Sequence, residues 1–147
     1  MATTSTVVSM RLPQQTNDRL KRLAKRFGWT PSDASARLVE EGLRRSEFAF
    51  IDFRTSSIGR MAYVQGSTLA VWEVVMVSRS YNGDVAATAK HLRWPETKVK
   101  AAFNYAKAYS DEIQSILEQN DAMDFDSLAK MLPQIESFVA SDKTQSR

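Results

Sequence analysis

The chain has 147 residues, 43% of them hydrophobic, 25% charged and 10% aromatic, the profile of an ordinary globular protein with room for one domain or two very small ones. It has no cysteine and one histidine, His91, which excludes a disulfide framework and leaves too few soft ligands for a zinc or iron–sulfur centre. The net charge of +3 is unevenly laid out: residues 1–48 hold 9 basic and 5 acidic side chains, residues 49–115 hold 8 and 6, and residues 116–147 hold 3 and 6. A basic front and an acidic rear point to an anionic partner at one end, with chance segregation on a solvated surface as the plainer alternative.

After a polar lead, Val8, Met10 and Leu12 alternate with Val7, Ser9 and Arg11, a period of two that predicts a short strand over Thr6–Leu12. Pro13 stops it. Leu20, Leu23, Ala24 and Phe27 then recur at helical spacing and Gly28 ends the helix, while Thr30-Pro31-Ser32-Asp33 supplies an N-cap, a proline at the first turn and an acid to open a second. Leu38, Val39, Gly42 and Leu43 form the apolar stripe of that second helix. A lone strand has no partner for its backbone groups, so the economical solution is a second copy of the chain pairing antiparallel with the first. Val7, Ser9 and Arg11 would then project from the outer face of a two-stranded ribbon, a shape that fits a DNA major groove.

These residues, from Val7 to Leu12 through Phe27-Gly28 to Trp29-Thr30-Pro31-Ser32, resemble the ribbon-helix-helix domain of the Arc, MetJ and CopG type over residues 5–46. The resemblance implies an intertwined dimer with Val7, Ser9 and Arg11 at the base-reading positions. It also implies phosphate contact at the start of the second helix, at Thr30, Pro31, Ser32 and Asp33. Val7 departs from the polar residue more usual there, and its reach is to a thymine methyl at most.

From Phe48 the texture changes. Phe50-Ile51-Asp52-Phe53 and Met61-Ala62-Tyr63-Val64 predict short strands around glycine-punctuated turns, and Leu69 to Arg79 a strongly apolar helix or buried segment. Asn82-Gly83 breaks the chain, Asp84 caps a helix over Val85–Leu92, and Arg93-Trp94-Pro95-Glu96 turns into a long helix reaching about Leu117. Helix, short turn and longer helix is helix-turn-helix spacing. Ile58-Gly59, Tyr63-Val64-Gln65-Gly66-Ser67, Val71-Trp72-Glu73-Val74-Val75 and Val99–Tyr109 resemble, over residues 50–113, the helix-turn-helix-like domain of many VapB-type antitoxins. That resemblance implies a type II toxin–antitoxin partnership. A second set of candidate DNA contacts, Thr97, Lys98 and Asn104, lies early in the second helix of the pair, with Lys100 and Ala101 among them. Beyond it, Leu128, Met131, Leu132, Ile135, Phe138 and Val139 fall in helical phase in an acidic tail that Pro133 should interrupt.

Chemistry is sparse. His91 lacks a nucleophile to serve and reads as a surface or half-buried helix residue, and Asp121, Asp124 and Asp126 lack a rigid framework for a metal. No enzyme activity, metal or cofactor is expected. No apolar run reaches the roughly 20 residues that span a bilayer, since Glu73 interrupts Met61–Val77, and Met1–Ser5 lacks a leader pattern, so a cytoplasmic protein without membrane contact is expected. The expected fold class is mainly α, an N-terminal strand-helix-helix forming an intertwined dimer (1–47), then a helix-turn-helix-like domain with short strands (48–117) and an acidic helix and tail (118–147). The expected function is that of a homodimeric repressor on double-stranded operator DNA, acting as an antitoxin that binds a toxin encoded nearby. A stand-alone ribbon-helix-helix regulator with an oligomerisation or effector module is the alternative.

Overall fold

A computed structural model describes residues 4–131, with side chains described as far as residue 122. The chain divides into two compact units, residues 1–47 and residues 48–147.

The first unit is a helix pair, α1 (Gln14–Phe27) and α2 (Pro31–Glu47). The corner between them is built from local chemistry. Gly28 takes φ 68°, and its N–H donates to the Lys25 carbonyl (3.3 Å) while the Trp29 N–H donates to the Ala24 carbonyl (2.8 Å), the Schellman pattern that closes a helix C-terminus. Thr30 then caps α2, its hydroxyl accepting from the Asp33 N–H at 3.1 Å. Trp29 is stacked on Phe27 at 4.7 Å, with the Arg37 guanidinium 4.6 Å from its ring centre, which fixes the corner from both helices. Among the described residues of this unit, Ala24 and Ala34 alone are buried.

The expected N-terminal strand is absent. Residues 4–13 carry neither helix nor strand, and the strands of this mainly helical protein come after the first two helices. The fold class read from the sequence is corrected accordingly. The physical reason is that alternation of apolar and polar residues specifies which face a strand would bury, while a strand exists only through hydrogen bonds to a neighbour. This unit provides none within the chain.

The second unit opens with a hairpin, β1 (Ile51–Ser56) and β2 (Gly59–Val64), antiparallel with Ile51 opposite Val64 and Ser56 opposite Gly59. Gly59 sits at φ 122°, a conformation that side chains disfavour, and so permits the two-residue turn. Four helices follow: α3 (Val71–Arg79), α4 (Val85–Leu92), α5 (Glu96–Ala108) and α6 (Ser110–Met131). Ile51, Val64, Val71, Val74, Val99 and Tyr105 form a closed interior. Tyr105 is its centre. The rings of Phe48, Phe53 and Tyr109 lie 4.8–6.3 Å from it, and its hydroxyl donates to the Glu112 carboxylate at 2.9 Å, so the buried phenol is satisfied.

Asp84 caps α4 as its position predicts, accepting from the Ala87 N–H at 2.7 Å. The single long helix expected from Pro95 to Leu117 is two. Tyr109 leaves helical geometry (φ −121°, ψ 47°), and Ser110-Asp111-Glu112 starts α6 with two acids in its first turn. No glycine or proline marks that break, which is why periodicity ran across it. Helix α6 is continuous across residues 117–118, where a boundary was expected. The readings on Leu132, Pro133, Ile135, Phe138 and Val139 fall outside the described residues, as do the side chains of Asp124, Asp126, Leu128 and Met131. Among the described residues, no helix is long and apolar enough to cross a membrane.

Candidate nucleic-acid interface

The residues singled out in the first unit lie on two stretches. Val7, Ser9 and Arg11 are exposed on the segment before α1. Thr30, Ser32 and Asp33 are exposed where α2 begins. At that helix start the Asp33 N–H is already spent on the Thr30 hydroxyl, Pro31 has none, and the Asp33 carboxylate would repel a phosphate. Thr30 therefore acts first as a cap. Any anion contact here falls to the Ser32 hydroxyl and its N–H, with the positive end of the α2 dipole behind them.

Beside these polar positions lies an apolar face with little cover. Val8 is 78% exposed, Met10 53%, Val39 48% and Leu43 52%. An open groove between the N-terminal segment and the helix pair is lined by Met10, Leu12, Leu20, Leu23, Leu38 and Val39. Leu20, Leu23, Leu38 and Val39, four of the periodic residues that defined α1 and α2 in the sequence, thus line a groove, while Ala24 is buried. Burying one such side chain is worth about 1.5–3 kcal/mol, so this face is the largest unspent source of stability in the unit.

In the second unit the helix-turn-helix spacing is realised by α4, a three-residue turn and α5. The turn repeats the corner of the first unit with one change. The Arg93 N–H donates to Lys90 (3.3 Å) and the Trp94 N–H to Ala89 (2.9 Å), again a Schellman closure, but the left-handed position (φ 58°, ψ 42°) is an arginine and not a glycine. A side chain there costs on the order of 1 kcal/mol that glycine avoids. Lys98 lies with its ammonium 4.7 Å from the Trp94 ring centre, as Arg37 lies on Trp29.

The three residues proposed as a second DNA contact are therefore not equivalent. Thr97 and Asn104 are exposed on α5, while Lys98 is half-buried against Trp94, and Ala101 is buried. Two residues that sequence reasoning passed over join the exposed side, Arg93 in the turn and Lys107 near the end of α5. Both had a signal. Arg93 occupies the place where a helix end usually shows glycine, and Lys107 follows Asn104 by three residues and Lys100 by seven.

Other candidates have structural partners. His91 is exposed on α4, with its Nδ1 2.7 Å from the Tyr81 hydroxyl. Arg54 donates to the Ser67 carbonyl (2.7 Å), lies 3.4 Å from the Asp52 carboxylate and stacks over Tyr63. Trp72 is half-buried and packed against the core. Asp121 is exposed on α6, and no group of metal-ligating side chains occurs among the described residues. No protein-family model, no curated protein and no solved structure matches this chain.

Proposed function

We propose that this protein is a homodimeric DNA-binding repressor and the antitoxin of a type II pair, with its first unit on operator DNA and its second holding a toxin. The observation that carries the DNA-binding half is the uncovered apolar face of the first unit, in a unit that also exposes Arg11 and the basic residues Arg19, Lys21, Arg22, Lys25 and Arg26 of α1. A second copy of the chain is the occupant that suits this face, because the apolar residues of two copies can cover one another while Ser9 and Arg11 stay at the surface. The resemblance of residues 5–46 to ribbon-helix-helix proteins supports the same partner. Arg11 donates to a guanine edge, Ser9 bonds a neighbouring base, Val7 lies against a thymine methyl, and Ser32 contacts phosphate and sets register. The mechanism is occlusion of a promoter.

The toxin-binding half is supported by the resemblance of residues 50–113 to VapB-type antitoxins. In that role the closed core of the second unit is a rigid scaffold for a partner surface. A cytoplasmic location follows from the same reading.

Anisotropy titration of the full chain on duplex DNA from upstream of its own gene tests the first half. Salt-dependent binding that Arg11→Ala weakens by about 1–3 kcal/mol at one operator position supports it. Unchanged binding by that variant removes Arg11 from the base-reading role. Co-expression with each adjacent reading frame tests the second half: a stoichiometric complex with a protein toxic on its own is the expected result, and a clean dimer without a companion makes the chain a stand-alone regulator.

A further inference from the structure

We infer that the second unit carries a binding cleft for a phosphorylated small molecule of about nucleotide size, set between Arg54 of β1, the loop from Gly66 to Leu69, and Trp94. This site goes beyond the operator and toxin readings and depends on neither. The cleft is open, has a volume of about 600 Å³ and is lined by Arg54, Gly66, Ser67, Thr68, Leu69 and Trp94. That volume falls in the range of pockets that hold small molecules. Two ordered cations border it. The Arg54 guanidinium is held by donating to the Ser67 carbonyl (2.7 Å) and by stacking over Tyr63. The Lys98 ammonium lies 4.7 Å from the Trp94 ring centre, and a Cβ on Gly66 would stand 3.9 Å from it, so the ammonium is fixed beside both a wall and the loop of the cleft.

The charge at this cleft is unanswered. Lys98 is half-buried, yet among the described residues its ammonium enters no hydrogen bond or ion pair, and a lysine drawn out of water usually has an anionic partner. The N–H groups of Gly66 and Thr68, two residues of the lining, also lack a hydrogen-bond partner among the described residues. The nearby acids are engaged or turned elsewhere. Asp52 lies 3.4 Å from Arg54 and accepts from the Phe53 N–H, so it offsets the guanidinium in part and leaves Lys98 uncompensated. Glu73 accepts from the Ala70 N–H at 2.7 Å and lines a different cleft. Glu96 stands about 160° round α5 from Lys98, at 100° per residue. A phosphate monoester brings three acceptor oxygens and up to two charges, which suits a guanidinium fork, an ammonium and loop N–H donors better than a carboxylate does. The space beside the phosphate is walled by Leu69 and Trp94, which fits a sugar or ring attached to it.

The test is isothermal titration calorimetry of the full-length chain with the common ribonucleoside 5′-monophosphates, the corresponding nucleosides and inorganic phosphate. At least one monophosphate should bind with a Kd below about 1 mM, and at least about tenfold more tightly than its nucleoside or inorganic phosphate. Lys98→Met separates this role from a structural one, because it keeps an unbranched apolar cover on Trp94 and removes only the charge. The variant should melt within about 2 °C of the parent and bind the nucleotide about tenfold more weakly, while Lys98→Arg should keep the affinity within about threefold. A lysine that merely covers Trp94 predicts unchanged affinity in Lys98→Met, and that result overturns the site. If Lys98→Met fails to fold, a chain carrying Trp29→Phe and Trp72→Phe decides: nucleotide that alters the Trp94 emission supports the cleft, and nucleotide that leaves it unchanged overturns it. Absence of binding by every monophosphate at about 10 mM overturns the proposal, as does a nucleoside or inorganic phosphate that binds equally well. A duplex of about 20 base pairs that displaces the bound nucleotide would assign the same cations to a nucleic-acid backbone and overturn the small-molecule site.

Discussion

The two units solve the same problem to different degrees. Among the described residues, the second encloses Tyr105, Ile51, Val64 and four more side chains at less than 2% exposure, whereas the first buries two alanines and leaves Met10, Val39 and Leu43 about half exposed. Both have well-made helix ends, so the difference lies in the interior and not in the local grammar. Helix caps and turns are each worth about 1 kcal/mol, and burial of large apolar side chains decides whether a unit stands by itself. The first unit is complete in secondary structure and incomplete in burial.

Substitutions can break or sharpen that contrast. Tyr105→Ala removes a fully buried ring and should cost about 3–5 kcal/mol in denaturant unfolding followed through the second unit. Leu38→Asp places a charge in the apolar groove of the first unit. By sedimentation it should shift the chain from dimer toward monomer, while near-ultraviolet dichroism of the tyrosine cluster around Tyr105 stays unchanged. A dimer that survives Leu38→Asp would assign its interface to another surface. Asp84→Ala and Thr30→Ala each delete a side-chain cap and should cost about 1 kcal/mol, the first in both monomer and dimer, the second with an added loss of operator affinity. The smallest pair runs in opposite directions. Gly28→Ala should destabilise by about 1 kcal/mol, and Arg93→Gly should stabilise by a similar amount, because both corners need a left-handed residue and only one has glycine.

Much of the fold was legible because its signals are local. Gly28, Thr30, Asp84 and the Asn82-Gly83 break each act through residues within five positions of themselves, and each appears in the structure where its chemistry places it. The hairpin at 51–64 was legible from two short apolar runs around a turn. The strand at 6–12 was misread because alternation describes a face and supplies no hydrogen-bond partner. The break at Tyr109 was missed because no glycine or proline marks it; Tyr109 leaves helical geometry with its ring packed on Phe48 and Tyr105. The candidate surface in the second unit was half legible. Helical spacing brought Thr97 and Asn104 to one side, but only the position of Trp94 reveals that Lys98 is held away from it. Arg93 and Lys107 required the turn geometry and the extent of α5 to be known.

The aromatic corner of the first unit has an optical consequence. The protein has three tryptophans, and Trp29, between Phe27 and Arg37, is the one that belongs to residues 1–47. In a chain carrying Trp72→Phe and Trp94→Phe, all indole emission would come from that corner. A single sample, excited at the indole band and then followed through the tyrosine signal centred on Tyr105, would report the melting of each unit separately and at any protein concentration chosen.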